Sequence, residues 1–453
     1  YTKDGASDEI NFKRDENGLI KDNLIIKGNN LLALHTLKSN FAGKVKLIYI
    51  DPPYNTGNDS FNYNDNFNHS TWLTFMKNRL EVARDLLSDD GVIFVQCDDK
   101  EQAYLKVLMD EVFNFKECIA VKTSTPSGVN AINVKKGEQM FKLKEYLLFY
   151  SKQDSFRFYP QLIKTNYKAN YKYEVIKKEN KYSIKNLSKN MNKEDLIQYC
   201  LKNYENIFSL EKNNKKAGEG IKDAIERSKN TDEVIEFLNS REELKLIYNG
   251  GIFVSLKERI VKEGGKIYFG VLISDFWDDD TFQTNSAEGG ISFNNAKKPE
   301  KLLQRIINLT TKEGDMVLDY HLGSGTTCAV AHKMGRQYIG IEQMDYIEDI
   351  AVKRMQKVIG KTVKKDGELL ERVDFDNGGI SKSVDWQGGG EFIYFELDKY
   401  NQAFIEKIAK VDEKNILKLY DDIIEKAFLN YDVESEKLKD KKQDFKALNL
   451  SDK

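Results

Sequence analysis

At 453 residues the chain is too long for one typical domain, and length alone implies roughly three. Its 40% hydrophobic content is ample for a buried core, and a formal net charge of −2 excludes a uniformly basic protein. No apolar run approaches the ~18 residues of a membrane span, no signal peptide opens the chain, and four widely spaced cysteines (Cys97, Cys118, Cys200, Cys328) exclude a zinc knuckle or a disulfide framework. The expected setting is a reducing cytoplasm, with no membrane and no metal. The chain opens on Tyr1 rather than Met, so the natural N-terminus is expected to lie upstream.

In chain order, Leu24-Ile25-Ile26-Lys27 reads as a strand ending in the polar turn Gly28-Asn29-Asn30, and Leu31, Leu34 and Leu37 give the next helix its apolar face. Leu47-Ile48-Tyr49-Ile50 is a second buried strand. It stops at Asp51, and Pro52 and Pro53 make a stiff turn at its carboxyl end, the edge where ligands sit in open α/β sheets. Asp51 supplies a carboxylate, the Pro52 carbonyl a second acceptor, and Tyr54 a flat aromatic face. Two acceptors beside a stacking ring suit a planar exocyclic amine. They take both N–H bonds and draw the nitrogen lone pair out of conjugation, ready to attack an electrophilic carbon. The competing reading is a plain Pro-Pro turn with a capping aspartate.

Trp72, Phe75, Met76, Leu80, Ala83 and Leu87 mark an amphipathic core helix closed by Ser88-Asp89-Asp90-Gly91. Residues 92–95 form a buried strand, 102–113 a helix and 145–150 a closing strand. From about Phe156 to Gly270 the β-α-β rhythm is lost, which marks an inserted domain with a loop at residues 217–220. Residues 156–190 carry nine cations against Glu174 and Glu179, a local excess of seven that leaves −9 for the rest of the chain. Here Arg157, Lys164, Lys168, Lys172, Lys177 and Lys178 interleave with Phe156, Phe158, Tyr159, Tyr167, Tyr171, Tyr173 and Tyr182. Such cations meet phosphates, and such rings stack on bases or sugars at ~1–3 kcal/mol per base. A solvated basic hairpin is the competing reading.

Beyond Gly270 the α/β pattern resumes. Lys297-Lys298-Pro299 leads into a helix through Leu302, Leu303, Ile306 and Ile307. The strand Met316-Val317-Leu318-Asp319 opens into Gly323-Ser324-Gly325, where glycines let the backbone pass close under a ligand, and a small-residue helix starts at Thr326. Glu342 ends the next strand, positioned to hold a ribose diol. The third glycine of the dinucleotide fingerprint is missing, which favours S-adenosylmethionine over NAD. Gly360-Lys361-Thr362 is no phosphate loop, because Met355 stands where its first glycine belongs. The tail from about Lys361 is acidic and partly helical.

Asp51-Pro52-Pro53-Tyr54 resembles the signature of amino-methyltransferases. The wider text, through residues 61–73 to Met76-Lys77-Asn78-Arg79-Leu80, closely resembles the modification (Mod) subunits of type III restriction-modification systems. Residues 385–395 resemble a segment near the end of many such subunits, a glycine turn leading into a strand being the competing reading. The order of catalytic strand, insertion and cofactor loop matches the beta group of DNA amino-methyltransferases.

The resemblance implies an α/β fold: a Rossmann-like S-adenosylmethionine-dependent methyltransferase sheet, circularly permuted, with an inserted target recognition domain and a C-terminal extension. The implied domains are 1–155 (catalytic half), 156–269 (target recognition), 270–360 (cofactor half) and 361–453 (extension). Asp51 and the Pro52 carbonyl would accept the target N–H bonds, with Pro53 in the same turn and Tyr54 stacked on an extruded base. Asp319, Gly323, Ser324, Gly325 and Thr326 would surround the methionine moiety and Glu342 the ribose. Asn29 and Asn30 would lie near the adenine of the cofactor, and Lys298 near its carboxylate. Tyr320-His321 departs from the family's Pro-Phe; both side chains could line the pocket, with His321 either a general base or loop packing.

The implied reaction is direct methyl transfer to N6 of a flipped adenine in duplex DNA. Cytosine N4 is the alternative within the class; an RNA or protein amide methyltransferase and a silent DNA-binding subunit are the others. Implied partners are double-stranded DNA, a second copy in a homodimer and a separate ATP-dependent restriction (Res) subunit, although an orphan methyltransferase would read the same.

Overall fold

The structure, a computed structural model, describes residues 1, 11–54, 68–123, 136–137, 140, 142–168, 170–179, 181–212, 218–279, 288–293, 297–365, 368–397 and 415–426. Residues 61–67 of the Mod-like text and Ala217 of the expected loop lie outside them. The chain forms two compact units, Tyr1–Phe158 with Asp275–Lys453, and Tyr159–Ser274.

The larger unit contains, in chain order, β1 (Leu24–Lys27), α1 (Asn30–Phe41), β2 (Val45–Ile50), α2 (His69–Leu86), β3 (Leu87–Cys97), α3 (Gln102–Val112), β4 (Asn114–Lys122) and β5 (Lys144–Ser151). After the smaller unit come β6 (Phe276–Trp277), α4 (Glu300–Thr310), β7 (Met316–Asp319), α5 (Thr326–Lys333), β8 (Gln337–Glu342), α6 (Lys353–Ile359) and β9 (Ile393–Glu396). The nine strands form one sheet in the order β6-β4-β5-β3-β2-β7-β8-β1-β9. Every neighbouring pair is parallel except the two made by β5, which runs antiparallel to β3 and β4.

All six residues of β2 and of β8 are buried, the continuous apolar burial of a parallel strand covered on both faces. Fully burying one such Ile or Leu side chain contributes ~1.5–3 kcal/mol. One core joins Ile48, Ile50, Leu318 and Ile341 of the sheet to Leu34, Trp72, Met76 and Leu105 of α1, α2 and α3. Asn68 caps α2 by accepting from Thr71 N at 2.8 Å. That helix ends at Leu86, so Leu87 already belongs to β3. Val45 pairs with Leu87 and Leu47 with Val92, and the residues expected to form a turn, Ser88-Asp89-Asp90-Gly91, bulge from the ladder.

The boundary expected at residue 361 does not separate a body. A hairpin of Lys361–Lys365 and Glu368–Asp374 follows α6, and the chain then returns to add β9 beside β1 in parallel. Trp386 Nε1 donates to the Val358 carbonyl at 2.9 Å. His332 Nε2 sits 2.9 Å from the Gly389 carbonyl, and a Cβ on Gly390 (φ +79°) would lie 2.4 Å from that imidazole nitrogen. Residues 388–390 are thus a glycine turn leading into a strand.

The smaller unit is antiparallel. Its six-stranded sheet runs Ile235–Leu238, Leu244–Tyr248, Gly251–Ser255, Ile207–Glu211, Tyr171–Lys178, Lys181–Asn186, and a three-stranded sheet joins Ile260–Glu263, Lys266–Leu272 and Leu162–Lys164. Tyr171, Leu187, Leu196, Cys200, Ile207, Leu256 and Phe269 form its main core. Among the described residues no helix is long and apolar enough to cross a membrane.

Candidate active site

From β2 the chain passes through α2 to β3 on one side, and from β7 through α5 to β8 on the other. The order reverses between β2 and β7, which opens a crevice at their carboxyl ends. Val317 pairs with Leu47 and Leu318 with Ile48, so Asp319 stands level with Tyr49 and Asp51 just beyond the strand end.

Asp51 belongs to a polar cluster built from four elements. Lys298 Nζ lies 3.2 Å from Asp51 Oδ2 and 3.2 Å from Glu145 Oε2, and donates to the Tyr54 hydroxyl at 3.0 Å. That hydroxyl donates to Glu145 Oε2 at 2.9 Å, and Gln96 Nε2 donates to the same oxygen at 2.6 Å. Tyr49 donates to the Gln96 carbonyl oxygen. Trp72 Nε1, donating to the Pro53 carbonyl at 2.8 Å, ties the Pro-Pro turn to α2. The other Asp51 oxygen, Oδ1, is buried with no hydrogen-bond partner among the described residues. Burial pushes the Asp51 carboxyl above its ordinary range; the Lys298 ammonium opposes that rise and Glu145 adds to it. Burial, followed by Asp51, holds the Tyr54 phenol well above its usual value, so its proton stays on.

Across the crevice Asp319 is buried and accepts from Thr327 Oγ1 at 2.6 Å and His321 N at 3.0 Å, and burial pushes its carboxyl up to about 7. Gly323 and Gly325 both hold left-handed backbone, φ +53° and +77°. A Cβ on Gly325 would crowd Ala351 Cβ at 3.2 Å, whereas one on Gly323 would meet nothing nearer than 4.0 Å. The second glycine therefore serves close packing, and the first leaves open space above the turn. Glu342 Oε2 accepts from Gly323 N at 2.9 Å, and Oε1 from Gln343 N and Met344 N at 2.9 and 3.1 Å. Three main-chain donors aim this carboxylate at the strand end. An acid at the strand end and open space over a glycine turn fit an adenosine-bearing cofactor.

Asn29 caps α1, accepting from Leu31 N at 3.0 Å. Asn30 is buried; its Nδ2 donates to the Tyr320 carbonyl at 2.9 Å, and its Oδ1 accepts from Arg79 Nε at 2.7 Å. Arg79 in turn lies over the Phe75 ring at 3.6 Å. Tyr320 joins the hydrophobic core instead of lining a pocket. Burial, then Arg79, holds the His321 imidazole down at about 3, so it stays neutral and packs the loop.

In the smaller unit the basic stretch is less positive than its sequence implies. Glu263 lies 2.7 Å from Lys164 and Glu236 2.6 Å from Lys177, acids drawn from outside residues 156–190. Lys168 and Lys178 are exposed and Lys172 half-buried, while Arg157, exposed at the end of the larger unit, donates to the Asp154 and Phe156 carbonyls. Phe156 and Tyr171 fill cores and are not available to stack on bases; Phe158 and Tyr159 are exposed.

Glu145 and Gln96 escaped the sequence reading. A carboxylate at the start of a strand is unremarkable until that strand is known to run antiparallel, which carries its first residues to the edge where parallel strands end. Lys298, expected near a cofactor carboxylate, lies between two protein carboxylates.

A mostly parallel sheet with one reversed strand, an aspartate-headed Pro-Pro-Tyr turn and a Gly-x-Gly turn facing each other across the switch point define a methyltransferase of the Rossmann-like class. Residues 45–353 match the model of the N6/N4 DNA methylase family, and the chain belongs to that family. It is 44% identical over 475 aligned residues to the probable type III restriction-modification enzyme HindVI Mod subunit of Haemophilus influenzae, covering 96% of this chain and 62% of that protein. The type III EcoPI Mod subunit of Escherichia phage P1 is 27% identical over 72% of this chain and 57% of its own length. Type II methyltransferase M.KpnI of Klebsiella pneumoniae is 37% identical over 28% of this chain and 32% of its own. The chain spans about three fifths of the length of these two Mod subunits.

Proposed function

We propose that the chain moves a methyl group from S-adenosylmethionine to N6 of an adenine swung out of duplex DNA, as the modification subunit of a type III restriction-modification system. The observation that carries this reading is the buried, unpartnered Oδ1 of Asp51 at the head of the crevice. A buried acceptor without a donor costs ~1–3 kcal/mol, and an amino group relieves that cost. Asp51 Oδ1 and the Pro52 carbonyl together take both hydrogens of the amine, and the Asp51 carboxylate stabilises positive charge developing on its nitrogen. Tyr54 offers the base a stacking face while Glu145 and Lys298 fix its hydroxyl. Asp319, the turn from Gly323 to Thr326 and Glu342 are the residues that would hold the cofactor, which when bound supplies an electrophilic sulfonium methyl. The protein's share is positioning and oriented acceptors, with no covalent step.

Aspartate rather than serine at the head of the turn favours adenine N6 over cytosine N4. The antiparallel unit Tyr159–Ser274, with its exposed lysines, is assigned target recognition. The Mod names of the relatives support a separate ATP-driven restriction subunit as partner, and a homodimer is the assembly assigned here. Four unpaired thiols fit a reducing cytoplasm.

The test incubates the protein with S-adenosylmethionine and mixed-sequence unmethylated duplex DNA, then digests to nucleosides for mass spectrometry. N6-methyladenine that disappears in Asp51→Ala is the expected result. N4-methylcytosine would overturn the target base, and methylation persisting in Asp51→Ala would overturn the site.

A further inference from the structure

Behind the cofactor turn lies a second cluster of charges that the reaction does not use. Glu300, at the start of α4 and two residues beyond Lys298, is fully buried. Its Oε1 accepts from Arg354 Nη2 at 2.9 Å, and its Oε2 from Lys333 Nζ at 2.8 Å and from Ile380 N at 3.1 Å. Lys333 also meets Asp376 at 2.7 Å. Glu288 Oε2 accepts from Glu300 N at 3.1 Å. Lys333 and Arg354 are thus matched by Glu300 and Asp376, with side chains at most 9% exposed, and Glu288 stands beside them as a third buried acid. Burying ions offers little stability over a well-packed apolar core, so stability alone gives no reason for this choice.

What the ions do have is direction. Arg354, 0% exposed, extends its other prong to the cofactor turn: Nη1 donates to Thr326 Oγ1 at 2.6 Å and lies 3.4 Å from the Ser324 carbonyl. Thr326 Oγ1 passes its own proton to the Lys298 carbonyl at 3.2 Å, with Ser324 Oγ 3.1 Å away. The hydroxyl is therefore fixed from both sides. Through it the guanidinium reaches the backbone of the lysine that pairs with Asp51. The planar fork of an arginine holds two directions at once, which a lysine does not.

We propose that Arg354, held by Glu300, is a positioning residue for the cofactor turn: it sets Ser324 and Thr326 chiefly through the Thr326 hydroxyl, its shortest contact there, and so tunes S-adenosylmethionine affinity without touching the reacting atoms. This rests on the reading of that turn as the cofactor site. Lys333 shares Glu300, but its ion pairs are with Glu300 and Asp376, away from the turn.

The test measures the dissociation constant for S-adenosylmethionine by calorimetry on the full chain, beside thermal melts, for Arg354→Met, Thr326→Val, their double variant and Lys333→Met. Steady-state kinetics accompany it. Expected are a loss of ~10-fold or more in Arg354→Met, a similar loss in Thr326→Val, and a double variant no worse than the weaker-binding single, because residues acting through one contact are not additive. KM for S-adenosylmethionine should rise while kcat at saturation changes less than about 2-fold, the signature of lost uniform binding. Lys333→Met should lower the melting temperature yet leave the dissociation constant within about 2-fold, since its contacts stop at the acids. Should Arg354→Met fail to fold, Thr326→Val carries the test alone, because it leaves every buried ion paired. Wild-type affinity in Thr326→Val, multiplicative losses in the double variant, or a Lys333→Met that weakens binding as much would reduce the cluster to scaffolding. A wild type that binds no S-adenosylmethionine would overturn the cofactor reading itself, and this one with it.

Discussion

Two groups of buried charges lie within a few residues of each other, and they are balanced differently. At Glu300 and Asp376, two acids face two cations and the ions interlock. At Asp51 and Glu145, two acids share the single ammonium of Lys298, and one Asp51 oxygen has no partner among the described residues. The first arrangement holds the scaffold in place. The second leaves an acceptor for something not of the chain. Arg354 Nε is also buried with no hydrogen-bond partner among the described residues, so the difference between the clusters is one of charge balance, and the uncompensated acid is the one that faces the crevice.

The contrast breaks most sharply with Glu300→Ala, which takes the carboxylate from buried Arg354 and leaves Lys333 with Asp376 alone. Urea unfolding should register a loss of ~3–5 kcal/mol, the usual cost of breaking a buried pair from one side. A loss near zero would mean that the cluster is wetter than its geometry. Next comes Asp51→Asn. Methyl transfer should fall by ~10²–10³, the range for losing one preorganised electrostatic contact, while the urea midpoint stays level or rises because the cost of burying that charge is gone. A variant that loses stability and activity together would erase the distinction between the two clusters.

A smaller effect lies in the pH profile. Asp51 must be ionised to accept from an amine, and burial raises its carboxyl, so the rate should fall as pH drops through that raised value. Facing it are Lys298, Glu145, Tyr54 and Tyr49, with Asp319 across the crevice and the Cys97 thiol on β3. Among these Lys298 alone pulls the carboxyl down by its charge. Lys298→Met should therefore shift the acid limb of kcat to higher pH, and an unmoved limb would separate Lys298 from Asp51. The least change is expected from His321→Asn: an imidazole held near 3 is already neutral at working pH, so the profile should keep its shape. Loss of a limb would restore His321 as a base.

The strand ending at Asp51 and the turn after Asp319 were legible because continuous burial writes itself as an apolar run that stops at an acid. Lys298 was legible as a site residue but not in its partners, which come from residues 51, 54 and 145, brought together by pairing alone. Glu145 stayed hidden behind a strand whose reversed sense has no local signature. Distance in sequence likewise inflated the basic stretch, since Glu236 and Glu263 reach Lys177 and Lys164 only in the folded unit. The tail was set apart because it reads as acidic and partly helical after the last expected strand; β9 pairing beside β1 is a partnership across more than 360 residues.

The strand order also fixes when the molecule can come together. Leu47 pairs with Val317 and Leu24 with Ile393, so β2 and β1 leave the ribosome long before their neighbours exist. At ~5–20 residues per second the wait is on the order of tens of seconds, with apolar strand edges open throughout. The antiparallel unit, contiguous in sequence, can finish first. Nascent chains of this protein should therefore carry a folded middle between two unfinished halves, with chaperone demand concentrated before residue 397.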